Sequence, residues 1–131
     1  MKSICITNDR GDKEWRLNGF LHREDGPAIE SYDGNKYWYI NNKLHREDGP
    51  AYEGANGKEW RINGQLHREA GPSIEWVNGA KEWYLYNHRH REDGPACEWS
   101  DGSKEWFYNG KKIDCKDNQE FLRIVKLMAF L

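Results

Sequence analysis

The histidines His22, His45, His67 and His90 recur at steps of 23, 22 and 23 residues, each inside a near-identical octapeptide. "LHREDGPA" stands at 21–28 and again at 44–51, then returns as "LHREAGPS" at 66–73 and "RHREDGPA" at 89–96. A second landmark keeps the same step: "KEWRLNG" from Lys13, "KYWYINN" from Lys36, "KEWRING" from Lys58, "KEWYLYN" from Lys81 and "KEWFYNG" from Lys104. Such a period means that one supersecondary unit is reused and that neighbouring units bury each other's apolar surface. The chain must fold as an array. The one short step traces to "NGK" at 56–58, where other copies read "DGNK", "NGAK" and "DGSK". A turn absorbs the loss of a residue, whereas a strand would flip every side chain to its other face.

Within the unit, Trp15/Leu17, Trp38/Ile40, Trp60/Ile62, Trp83/Leu85 and Trp106/Tyr108 are large apolar residues two apart. Period two is the signature of a strand with one buried face. Asn-Gly at 18–19, 63–64 and 109–110 marks hairpin turns, as do the Asp-Gly and Asn-Gly pairs at 33–34, 56–57, 78–79 and 101–102. A type I′ turn needs positive φ at both central residues, which these pairs supply. Two turns and two strands per unit predict an all-β antiparallel meander or solenoid of about five hairpin repeats over residues 1–115, with the tryptophans and alternate aliphatics as its core. The four prolines Pro27, Pro50, Pro72 and Pro95 each follow a glycine of the motif and keep that segment out of the ladder interior.

Residues 116–131 break the pattern. Asp117, followed three residues later by Glu120, predicts a helix start. Phe121, Ile124, Val125, Met128 and Leu131 then fall on one helical face. Two readings remain open for it: a cap over the last hairpin, or a surface at which two copies of the chain form a homodimer through Phe121, Val125, Met128 and Leu131.

Composition narrows the function. With a mean hydropathy of −1.10 the 131-residue chain has little material for a thick core, yet 14% aromatic content with seven tryptophans separates it from disordered chains. A net charge of −2 argues against a nucleic-acid partner held by phosphate contacts. Three cysteines, Cys5, Cys97 and Cys115, at irregular spacing fit neither a disulfide framework nor a zinc knuckle. The start "MKSICITNDRG" lacks the apolar run of a signal peptide. "FLRIVKLMAFL", the longest apolar stretch, is too short and too charged to span a bilayer. The expectation is a cytoplasmic protein with no membrane contact.

His-Arg-Glu-Asp in four copies invites a metal or a catalytic reading, and both fail. Equivalent side chains two strands apart lie about 10 Å apart, while zinc ligands must converge to about 2.0–2.3 Å from one ion. Acid–base catalysis needs environments that push two pKa values apart, and near-identical repeats give near-identical environments. No enzyme activity, cofactor or metal is expected, and the motif reads as scaffold.

The unit resembles a divergent MORN repeat: the period is the same, and "W-x-x-N-G-x-x-H" with a later "D-G" is close to that family's core over roughly residues 4–113. The "R-E-D-G-P-A" that follows the histidine is similar to a variant seen in tailed bacteriophages and large DNA viruses. The resemblance implies an elongated, hairpin-stacked sheet and a binding role. It implies a phage or viral accessory protein that binds and inhibits a host protein, in the manner of anti-CRISPR and similar counter-defence proteins, in the host cytoplasm. A small-ligand or nucleotide sponge and a structural oligomer are the alternatives.

The residue between each tryptophan and its aliphatic partner points the other way, giving an outward column of Arg16, Tyr39, Arg61, Tyr84 and Phe107. Arginines and aromatics of this kind are enriched at protein-binding hot spots. The fourth copy replaces the usual turn with Tyr86, Asn87, His88 and Arg89, and His88 with Arg89 forms a second candidate contact, a basic knob.

Overall fold

Each repeat divides its hydrogen bonds between two ladders, and the tryptophan is where they part. In the computed structural model, which describes residues 2–130, Trp38 N–H donates to Ala51 C=O at 2.7 Å, and Trp38 C=O accepts from His45 N–H at 2.9 Å. Trp15, Trp60 and Trp83 repeat this pair of bonds with Ala28 and His22, Ser73 and His67, and Ala96 and His90. The first bond belongs to a long sheet and the second to a short local hairpin. A tryptophan strand was expected to be continuous, but strand pairing lapses at Trp38, Trp60 and Trp83, because one peptide cannot stay in register with both partners.

A 12-stranded antiparallel sheet runs from the edge strand Ile4–Thr7 through Lys13–Leu17 and the successive short strands to Lys104–Tyr108 and Lys111–Ile113. Three two-stranded hairpins stand beside it: Tyr39–Ile40 with Lys43–Leu44, Arg61–Ile62 with Gln65–Leu66, and Tyr84–Leu85 with His88–Arg89. With the helix Asn118–Met128, the chain is an all-β meander with a C-terminal helical cap.

The two kinds of turn differ. Asn18-Gly19, Asn41-Asn42, Asn63-Gly64, Tyr86-Asn87 and Asn109-Gly110 have positive φ at both residues, as type I′ requires. The Asp-Gly and Asn-Gly pairs of the long sheet do not. Only Gly34, Gly57, Gly79 and Gly102 have positive φ there, and the aspartate or asparagine before each stays at negative φ. In the last two of these turns the side chain accepts a backbone N–H instead, Asn78 Oδ1 from Ala80 and Asp101 Oδ1 from Ser103, both at 2.9 Å, while Asp33 Oδ1 accepts from the Ser31 hydroxyl and the Asn35 side-chain amide. The deleted residue lies in this turn, where Gly54 pairs directly with Gly57.

Along one face of the long sheet, Lys13, Glu30, Lys36, Glu53, Lys58, Glu75, Lys81, Glu98 and Lys104 stand opposite one another in an unbroken alternation of sign. Each directly opposed pair contributes roughly 0.2–1 kcal/mol and penalises a register slip. The other face holds Tyr52, Ile74, Glu82 and Cys97, all buried.

Trp15, Trp38, Trp60 and Trp83 are half-buried rather than core residues, each roofed by the arginine of its own motif. Arg23, Arg46, Arg68 and Arg91 lie 3.7–3.9 Å from the centroids of these rings. The same guanidinium donates Nη1 to the carbonyl of Pro27, Pro50, Pro72 or Pro95 at 3.0–3.1 Å. Gly26, Gly49 and Gly94 close the other side: a Cβ there would stand 2.8–2.9 Å from the guanidinium carbon, and one at Gly71 would stand 3.2 Å away. The arginine is sandwiched between an indole face and a bare backbone. No fifth copy of the motif follows Trp106. Phe121, fully buried, packs with Trp106 and Ile113 in its place, and Trp106 Nε1 donates to Asn118 Oδ1 at 2.8 Å. Asp117 Oδ1 caps the helix by accepting from Glu120 N–H at 2.9 Å, as the sequence predicts.

If the sandwich is what requires glycine, Gly49→Ala should lower stability by about 1 kcal/mol, the scale of a cation–π contact. In an Arg46→Met background the same change should cost much less. Denaturant melts of the four proteins measure the coupling, and an equal cost in both backgrounds would contradict the sandwich.

Candidate functional site

The expected outward column is not free surface. Arg16 donates Nε to Glu14 at 3.2 Å and Nη1 to the Gly19 carbonyl at 2.9 Å. Arg61 repeats this with Glu59 and Gly64, all at 2.9 Å. The Tyr84 hydroxyl donates to Glu82 at 3.1 Å and accepts from Arg89 Nε at 2.9 Å, and burial pushes its pKa upward. Phe107 is buried against Ala96 and Cys97, and Tyr39 is half-buried. These residues occupy the space where sheet and hairpin diverge, so an Arg89 guanidinium from the hairpin reaches Glu82 on the sheet at 3.0 Å. The glutamates beside the column are likewise paired: Trp76 Nε1 donates to Glu82 and Trp99 Nε1 to Glu105, both at 2.7 Å. The Trp99 bond, with Lys112 beside it, holds the Glu105 carboxyl below its usual range. Trp76 and Trp99 occupy positions filled by Ser31 and Gly54 in earlier copies. Their role was invisible in the sequence because the indole reaches six residues along the chain and across a strand.

The fourth-repeat knob separates into its parts. Arg89 turns inward to Glu82 and Tyr84, while His88 remains exposed beside the next turn at Gly110. Tyr86 takes a strained left-handed φ of 46°. It donates its N–H to His67 Nδ1 at 3.1 Å and packs its ring on that imidazole, centroids 4.0 Å apart. Cys97, fully buried beside these residues, has its thiol pushed up to about 11 by burial, which suits a packing residue rather than a nucleophile.

Glu82 is 4% exposed, so removing its cationic partner strands a buried charge. Arg89→Met should therefore cost about 2–3 kcal/mol, and Glu82→Gln in the same chain should recover part of it. Stability of the single and double variants by denaturant melts checks this.

The helix residues divide in the same way. Phe121 is fully buried, and Val125 and Met128 pack on the Trp106–Ile113 cluster, so these three form the cap; Leu131 lies outside the described residues. The outward helix surface instead carries Leu122, Leu127 and Phe130 with Arg123 and Lys126. Sequence periodicity missed this second apolar strip because it follows a single strongest stripe.

Two surfaces stay open along the array. One is the row of residues that follow the hairpin tips, Phe20, Lys43, Gln65, His88 and Lys111, all exposed and of four residue types across the five units. The other is a pair of related clefts on the tryptophan face. Arg23–Gly26 with Trp38, Ile40 and His45–Asp48 line one of about 850 Å³, and Arg68–Gly71 with Trp83, Leu85 and His90–Asp93 line one of about 640 Å³. Among the described residues no three His, Cys, Asp or Glu side chains cluster as metal ligands, and no helix is long and apolar enough to cross a membrane. No protein-family model, curated protein or solved structure matches the chain.

Proposed function

We propose that the chain is a non-enzymatic binding protein that engages another protein along its hairpin tips. The observation that carries this reading is the tip row itself. The backbone of every tip after the first is held by the preceding repeat, while the side chain after it changes from Phe20 in the first unit to Lys43, Gln65, His88 and Lys111. At roughly 10 Å per repeat, five tips present a stiff line about 40 Å long. Surfaces ordered before they meet a partner lose little further entropy on binding. Aromatic and cationic side chains dominate the row, which suits a partner with acidic and apolar groups.

The repeated histidines and arginines support the same reading from the other side, since they are engaged in holding the array. Following the resemblance to MORN-like repeats of bacteriophages and large DNA viruses, the partner is a host protein. The effect is inhibition by steric cover of a groove or channel, in the host cytoplasm.

The test is capture from host lysate by the immobilised chain and by a variant carrying Phe20→Ala, Lys43→Glu, His88→Ala and Lys111→Glu. The expected outcome is one protein retained by the first and lost by the second, at an unchanged melting temperature. Equal retention would move the contact to Leu122, Leu127 and Phe130 on the helix, and no retention by either would remove the protein-binding reading.

A further inference from the structure

Around its motif arginine the third repeat lacks one group that the other copies supply. In the first, second and fourth units the arginine Nε donates to an aspartate two residues on: Arg23 to Asp25 at 3.0 Å, Arg46 to Asp48 at 3.1 Å, Arg91 to Asp93 at 3.0 Å. The third unit carries Ala70 at that position. Arg68 is otherwise held as its siblings are: it stacks 3.7 Å from the Trp60 centroid and donates Nη1 to the Pro72 carbonyl at 3.1 Å and to Glu75 at 3.0 Å. Among the described residues no acceptor stands on its Nε. Arg68 and Ala70 both line the 640 Å³ cleft against the fourth repeat.

We propose that this cleft is a seat for one carboxylate, presented by an aspartate or glutamate of a bound polypeptide, which takes the place on Arg68 Nε that Asp25, Asp48 and Asp93 fill in the other units. The guanidinium is pre-oriented by its indole and its proline carbonyl, so little side-chain entropy remains to be lost when a carboxylate arrives. Trp83 and Leu85 supply apolar wall for the flanking residues of such a segment. Glu69, Glu92 and Asp93 also line the cleft and disfavour a doubly charged phosphate. A single carboxylate fits beside such neighbours in the first repeat, where Asp25, next to Glu24, accepts from Arg23 Nε at 3.0 Å. The seat rests on the reading of the chain as a binding protein but shares no residue with the hairpin-tip row, so either can fail alone.

The test follows the Nε–H resonances of the four motif arginines by NMR. The titrants are sodium acetate, a capped peptide with one aspartate, and sodium phosphate, against sodium chloride at equal ionic strength. A saturable shift at Arg68 with acetate and peptide, and none at Arg23, Arg46 or Arg91, is the expected result. Tighter binding of the peptide than of acetate marks a polypeptide as the source; acetate binding as tightly as the peptide would restrict the seat to small carboxylates and overturn the polypeptide assignment. Ala70→Asp should abolish the shift while keeping or raising the melting temperature, since it installs the missing pair. Equal shifts at all four arginines, a stronger response to phosphate, or a response that survives Ala70→Asp would overturn the proposal.

Discussion

The array depends on where the first N–H of each hairpin tip goes. A type I′ turn turns that N–H away from its own strands, and here it points at the preceding repeat. The acceptor is an imidazole: Asn41 N–H meets His22 Nδ1 at 3.1 Å, Asn63 meets His45 at 2.9 Å, Tyr86 meets His67 at 3.1 Å and Asn109 meets His90 at 2.8 Å. Two backbone bonds accompany each contact, illustrated by Asn42 N–H to Leu21 C=O and Arg23 N–H to Tyr39 C=O. Each step of the hairpin ladder is thereby fixed by three bonds of about 1 kcal/mol apiece. The acceptor role requires a neutral ring carrying its proton on Nε2, which faces Glu24, Glu47 or Glu92 at 3.6–3.8 Å in three of the repeats.

The rest of the octapeptide follows from serving that joint. Histidine receives the next hairpin, arginine covers the tryptophan and ties the Gly-Pro bend to it, glycine leaves room for the guanidinium, and aspartate satisfies its remaining edge. A motif that resembles an active site is consumed by assembly. Where the array ends, Phe121 and Asn118 take over the tryptophan, so the helix acts as the final covering of the series. Departures from the pattern are informative for the same reason: Ala70 leaves an arginine edge open, while Asn42 and Asn87, standing where other tips have glycine, add a side-chain bond of 2.7 Å to Leu21 and Leu66 N–H.

The period, the tip turns, the Asp117 cap and the meander itself were legible in the sequence, because each rests on local chemistry. The facing of side chains was legible only in part. Alternation around the tryptophan pairs it with the aliphatic two residues on, and Trp38 with Ile40 and Trp83 with Leu85 do line the same clefts. It carries no information that the strand bends at Trp38, Trp60 and Trp83 and leaves sheet and hairpin to share the space at the intervening residue. Phe107 is therefore buried and Arg89 turns inward. The alternating Lys–Glu face was present in the sequence as "IE" and "KE" pairs, but only strand register sets those residues opposite each other.

Histidine tautomers report most directly on this joint. Long-range proton–nitrogen spectra at neutral pH distinguish a ring protonated at Nε2 from one protonated at Nδ1 and from a rapidly exchanging mixture. His22, His45, His67 and His90 should each be fixed in the Nε2-protonated form, with Nδ1 coupled to the tip N–H of the following repeat. His88, exposed and outside the joint, should show no coupling to a tip N–H. Averaged or Nδ1-protonated rings at the four motif positions would contradict the claim that the repeated histidine is the joint of the array.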